Sequence, residues 1–171
     1  MEMRYCMRCG APLVRREHPT DGSVPYCECC GDYRFPVFST AVSVIVENPA
    51  GTELLMIRQY GEPHPVFVAG YVDKGECAEH AVRRELLEEL GIAAGAPRYL
   101  GSHYYAPSET LMLNYAVTAA AREARPNAEV DDWFWLSAAE AEAAVLPDGL
   151  AEKLLADWKG AHNAKAQPAG I

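Results

Sequence analysis

Three glutamates, Glu85, Glu88 and Glu89, crowd the end of the segment GYVDKGECAEHAVRRELLEELGI, residues 70–92, just before Gly91. If this segment is helical, 100° per residue puts all three within an arc of about 100°. Val82, Leu86 and Leu90 form the adjoining apolar stripe that faces a core, so the acids stand at the margin of the buried face. Their i,i+3 and i,i+4 repulsion costs a few tenths of a kcal/mol per pair, and the negative end of the helix dipole adds a comparable penalty. A sequence serving helix stability alone would carry Lys or Arg there. A hard divalent cation, Mg²⁺ or Mn²⁺, removes both penalties because it takes carboxylate oxygens as ligands. The competing interpretation is a solvated face, on which paired glutamates are ordinary.

A second set of metal-ligating residues lies near the N-terminus. Cys6 and Cys9 in CMRCG, and Cys27 and Cys30 in CECCG, form two CxxC knuckles separated by 17 residues. Four thiolates at that spacing suit tetrahedral zinc, and the glycine after each knuckle permits the tight turn. Cys29 could replace Cys30 as a ligand, and His18 is a weaker substitute. A redox CxxC would sit between a strand and a helix, a context that residues 1–36 lack. Arg4, Arg8, Arg15, Arg16 and Arg34 are balanced by Glu2, Glu17, Asp21, Glu28 and Asp32, so no basic footprint for DNA emerges. The expected role of this zinc is structural.

The elements that must position these residues follow from pattern. Strands are expected over 39–46, 53–59, 66–72, 98–105, 111–119 and 133–136, with a turn at Asn48-Pro49-Ala50-Gly51. Helices are expected from about 77 to 90, after Ser137 with Glu140 at the capping-box position, and over 150–159. Residues 164–171 read as a frayed tail. Strands mixed with helices make an α/β or α+β domain.

Gly70, Glu76, Arg84-Glu85-Leu86, Glu88-Glu89 and Gly91-Ile92 together match all nine positions of the Nudix signature. The chain resembles a Nudix hydrolase from about Val37 to about Ala144. The resemblance implies a Nudix α/β/α sandwich over 37–163, between the small zinc ribbon read from the cysteine spacing over 1–36 and the flexible tail over 164–171. It implies that Glu85, Glu88 and Glu89 are ligands of a catalytic Mg²⁺ or Mn²⁺ and that Gly70 lets the backbone turn close to the site. Arg84 would orient Glu85 or Glu76, with Glu76 a supporting partner. Many relatives use a further glutamate as base or extra ligand; Glu129 stands in the matching place, with Glu109 and Asp131 as rivals. The implied chemistry is in-line attack of water on a diphosphate.

A zinc ribbon before such a domain is similar to the NADH-diphosphatase branch. Ala69 to Glu76, AGYVDKGE, is close to that branch's AGFVE-x-GE, and Leu111-Met112-Leu113 follows at its distance. Where the branch carries SQPWPFPxS, this chain reads SHYYAPSET. Ser102 matches, Tyr105 stands in for the tryptophan as an aromatic that could stack on a base, and Thr110 for the last serine; the remaining differences put NADH specificity in doubt. His103 is a weaker candidate base than the carboxylates. The expected function is divalent-metal-dependent hydrolysis of a dinucleotide such as NAD(H), or of ADP-ribose. The alternative is a non-catalytic Nudix module that senses such molecules, and decapping of NAD-capped RNA is a third reading.

Length and composition bound the rest. The chain has 171 residues, half of them hydrophobic, and a formal charge of −9. A real core is attainable, and an acidic surface argues against nucleic acid as the main partner. Five of six cysteines lie in the first 30 residues, which favours a local metal device over a disulfide framework. No stretch is long enough to span a bilayer, and the start lacks a secretory signal. A cytoplasmic protein with a small-molecule nucleotide substrate is expected, paired as a homodimer as relatives of the branch are.

Overall fold

The computed structural model describes residues 3–166, with side chains through Asn163. It divides into two compact units, one ending at Phe38 and one beginning at Ser39. In the first unit β1 (Val14–His18) and β2 (Gly22–Cys27) make an antiparallel hairpin, and the two-residue β3 (Asp32–Tyr33) pairs with β2. Tyr26 and Tyr33 meet edge to face at 4.9 Å, and the Arg16 guanidinium lies 3.8 Å above the Tyr26 ring. Among the described residues of this unit only Cys6, Val24, Cys27 and Arg34 are buried. So small an apolar core does not hold a fold without a staple.

The second unit is built on a six-stranded mixed sheet. Its strands are β4 (Ser39–Glu47), β5 (Leu54–Gln59), β6 (Val68–Tyr71), β7 (Arg98–Tyr105), β8 (Thr110–Thr118) and β9 (Val130–Leu136). The order is β7-β8-β4-β5-β9, and β4 pairs in parallel with β8 along its whole length. The other edge of β4 is shared. Residues 41–44 pair with β6, whereas Val46 and Glu47 pair with β5. This division carries β6, and Gly70 with it, to the mouth of the sheet.

Period-2 alternation sends side chains to two apolar layers. Val42, Val44, Val46, Leu55 and Ile57 face α1 (Ala78–Leu90), whose Ala81, Val82, Leu86 and Leu90 close that core. Ile45, Leu54 and Met56 face the other way, against α2 (Ala138–Ala144) and α3 (Leu150–Ala166). The result is an α/β/α sandwich. Among the described residues no helix is long and apolar enough to cross a membrane.

Helix ends follow their local chemistry. Gly91, at φ 62°, caps α1, with its own N–H on Leu87 O and that of Ile92 on Leu86 O. Ser137 and Glu140 form the expected capping box. The last helix runs through Ala166, beyond the expected end at 159, so residues 164–166 continue it; 167–171 lie outside the described residues. The helix passes Gly160 because Trp158 stacks on His162 at 4.1 Å and donates its indole N–H to buried Glu47 at 2.8 Å.

Candidate active site

α1 presents its three carboxylates unequally. Glu85 and Glu89 are buried, while Glu88 turns outward with 57 % of its side chain exposed. Arg84 ties the group together. Its Nε and Nη2 donate to the two oxygens of Glu76 at 3.1 and 3.0 Å, and Nη1 donates to Glu85 at 2.7 Å and Glu88 at 3.1 Å. Nη2 also reaches Tyr71 O at 2.9 Å, which pins the helix to the end of β6. Glu76 is the first cause holding the Arg84 guanidinium charged, and Arg84 in turn keeps the Glu76 carboxyl below its ordinary range. The cation of this site is committed to holding carboxylates in place.

Gly70 is required for space. It does not have the positive φ that would favour glycine; a Cβ built there would lie 2.0 Å from Glu85 Cδ and Oε1. The family resemblance implies a backbone turn at Gly70, whereas the structure makes it the floor on which the Glu85 carboxylate rests. Burial is the main cause raising the Glu85 carboxyl above its usual range. Glu89 is pushed further, to about 7, by burial first and then by the charges of Glu85, Glu129 and Glu88. Its Oε2 is buried with no hydrogen-bond partner. A buried, unpaired carboxylate oxygen beside a second carboxylate is costly unless it meets a cation. This donor set, all oxygen and negatively charged, fits Mg²⁺ or Mn²⁺.

The three candidates for the further acid lie in different places. Arg125 and Asn127 donate their backbone N–H groups to Leu90 O at 2.6 Å and Glu89 O at 2.8 Å, so this segment completes the C-terminus of α1. Asn127 Oδ1 then accepts the Glu129 N–H at 2.9 Å, bringing Glu129 beside Glu89. Both glutamates line a cleft of about 500 Å³ with Gly70, Arg84 and Glu85. Asp131 instead accepts the Gly61 N–H at 2.7 Å, and Glu109, at φ 49°, ends the 3₁₀ turn Ala106–Ser108; neither lines the cleft.

Tyr105 lines the cleft; Ser102, opposite Leu113 in β7, does not. His103 is likewise elsewhere, with Nε2 2.9 Å from Asp157 Oδ2. The sequence reading missed Tyr60 and Tyr71, which both face the cleft. The Glu129 charge first, and then burial, raise the Tyr60 hydroxyl above its usual range. The cleft thus joins an acidic floor to three tyrosine rings.

The cysteine knuckles converge in the first unit. One sulfur of each of Cys6, Cys9, Cys27 and Cys30 lies within 4.8 Å of the others; Cys29 is exposed outside this set. Sγ separations of 3.9 Å (Cys6–Cys30) and 3.5 Å (Cys9–Cys27) are far from a disulfide and bracket the ~3.8 Å edge of a tetrahedron with 2.3 Å zinc–sulfur bonds. Gly10 at φ 73° and Gly31 at φ 65° return their N–H groups to Cys6 O and Cys27 O, both at 2.8 Å. Buried Arg34 donates from Nε to Cys6 Sγ at 3.3 Å and from Nη1 to Asp32 at 2.7 Å. Burial raises the Cys6 thiol, but the Arg34 bond and backbone donors outweigh it and bring it to about 5. Cys30 is pushed up to about 12, first by its hydrogen bond with Cys9 and then by burial and the other sulfurs. Among the described residues only these cysteines gather three or more ligand atoms so tightly.

A family model described as NUDIX domain matches residues 37–157. A protein of Stutzerimonas stutzeri named NAD-capped RNA hydrolase NudC is 33% identical over 135 residues, which cover 77% of this chain and 47% of that protein. The chain spans about half the length of the curated relatives it matches. Among solved structures, a NUDIX hydrolase from Nitrosomonas europaea superposes with a TM-score of 0.69 at 16% identity, covering 99% of this chain and 97% of that one. The NUDIX domain of Shewanella oneidensis NrtR complexed with ADP ribose gives 0.62 at 15% identity, covering 80% and 94%. At these identities the two structures speak for the fold.

Proposed function

This chain belongs to the NUDIX family, and from that membership we propose that it hydrolyses the diphosphate bond of a nucleotide-linked small molecule, with NAD(H) or ADP-ribose the foremost candidates. The observation that carries the reading is the pair of buried carboxylates, Glu85 and Glu89, the second with an unpartnered oxygen, in a cleft whose one arginine is already committed. Glu85, Glu88 and Glu89 would hold the divalent cation, which supplies charge neutralisation to the diphosphate oxygens. Arg84 keeps these carboxylates and Glu76 in register, and Gly70 leaves the room that Glu85 occupies. Glu129 takes the proton from the attacking water, since it reaches the cleft without a cation of its own. Zinc on Cys6, Cys9, Cys27 and Cys30 is assigned a structural role.

The relative's name and the ADP-ribose held by a structural neighbour support a nucleoside diphosphate as the recognised chemistry. The same relative acts on NAD-capped RNA by name, so the expectation against nucleic acid drawn from net charge alone gains no support, and such RNA belongs among the substrates to be tried. A non-catalytic sensor would not need the full carboxylate set that this chain keeps.

A panel of NADH, NAD⁺, ADP-ribose, FAD, diadenosine polyphosphates, nucleoside triphosphates and NAD-capped oligonucleotide, each with Mg²⁺ or Mn²⁺, tests the proposal. Release of a nucleoside monophosphate from one of them is expected; tight binding without turnover across the panel would establish the sensor instead. Within the same assay Glu129→Gln is expected to lower turnover by roughly 10²–10⁴ with KM nearly unchanged. An unaffected kcat would return the role of base to a carboxylate of α1.

A further inference from the structure

Tyr60 holds a backbone conformation that its side chain disfavours. It follows β5 in the turn Gln59–Glu62, closed by the Glu62 N–H on Gln59 O at 3.1 Å. Tyr60 at φ 56° and Gly61 at φ 72° are both left-handed. A two-residue turn with both central residues left-handed ordinarily takes Asn, Asp or Gly first. An aromatic residue there persists only where its surroundings impose it. Here the Gly61 N–H is held by Asp131 Oδ2 at 2.7 Å, across from β5.

Packing does not explain the choice, because Tyr60 remains 69% exposed. What the turn achieves is placement. Tyr60 forms part of the wall of the cleft that contains Gly70, Glu85, Glu89 and Glu129, near enough to Glu129 to feel its charge. The acidic floor offers nothing to a planar, uncharged ring, whereas an exposed tyrosine face does.

We propose that Tyr60 is a substrate-binding residue whose ring stacks on the base of the nucleotide, held over the acidic floor by a strained turn. This rests on the reading of the cleft as a diphosphate hydrolase site. Asn tolerates left-handed backbone and has no ring, so Tyr60→Asn removes the stacking surface and relieves the strain together.

The test measures binding of ADP-ribose, NADH and inorganic pyrophosphate, with Ca²⁺ as the cation, alongside thermal melting. Tyr60→Asn is expected to weaken ADP-ribose or NADH by about 5- to 150-fold, to leave base-free pyrophosphate unchanged, and to raise the melting temperature by about 2–4 °C. Tyr60→Phe keeps the ring and should retain nucleotide affinity within about fivefold. The inference is overturned if Tyr60→Asn binds both nucleotides as wild type does, if it loses pyrophosphate equally, or if it melts lower. Wild-type protein that neither binds these nucleotides nor hydrolyses any member of the panel would remove the hydrolase reading and this inference with it.

Discussion

Glu89→Gln is expected to make the metal-free protein more stable and the enzyme nearly inactive. The Glu89 carboxyl is raised from 4.5 to about 7 by burial and by the charges of Glu85, Glu129 and Glu88, so the folded state holds its proton more tightly than the unfolded chain does. Between those two values the folded protein therefore binds more protons, and stability falls as pH rises from about 4.5 to about 7. Above that window the ionised group costs on the order of 2 kcal/mol, and glutamine does not carry this cost. At pH 8, in chelator, the variant should melt about 4–8 °C above wild type, and its stability should no longer fall across that pH window as steeply. Turnover should drop by orders of magnitude at any Mn²⁺ concentration that saturates wild type, because the lost oxygen is one the cation would use. A residue serving only as a structural ion-pair partner would lower both quantities. Melts and kinetics on one preparation of the variant check both directions.

Stripping zinc is expected to unfold the first unit while leaving the second folded. Apart from Val24, the buried residues among those described in the first unit are Cys6, Cys27 and Arg34, which is too little apolar area to offset chain entropy. Binding energy at a four-cysteine zinc centre, about 10–16 kcal/mol, is then folding energy for that unit. The second unit has its own two-layer core and should keep its cooperative melt. Elemental analysis of native protein should give one zinc per chain, and chelation under denaturing conditions should release it. Amide exchange after metal removal should show loss of protection through residues 3–38 alone. Protection in β1 and β2 that survives a zinc-free preparation would contradict the assignment.

The carboxylate cluster was legible in the sequence because helical periodicity and charge repulsion are local properties. The capping box at Ser137 and the strand pattern of residues 39–59 were legible for the same reason. What escaped depends on contacts between distant segments. Gly70 reads as a turn residue until the Glu85 carboxylate is found where its Cβ would be. Which of Glu129 and Asp131 reaches the cleft is not legible in the sequence, because it depends on Arg125 and Asn127 binding the carbonyls that end α1. In the sequence Arg34 is one of five arginines balanced by five acids, and only the fold buries it against Cys6. Tyr60 lies past a strand in an ordinary-looking QYGE turn, and its left-handed backbone leaves no mark in the composition. Ser102 matched a motif by position, yet strand β7 carries it outside the cleft.

The central claim, that Glu85, Glu88 and Glu89 form one cation site, is tested most directly by titrating Mn²⁺ into chelator-washed protein and following free Mn²⁺ by electron paramagnetic resonance. The cysteine centre does not interfere, because thiolates select softer ions. Wild type should take up Mn²⁺ without nucleotide present, and Glu85→Gln and Glu89→Gln should each weaken that uptake by about tenfold or more. Uptake of Mn²⁺ by Glu89→Gln with the wild-type affinity and stoichiometry would contradict the account.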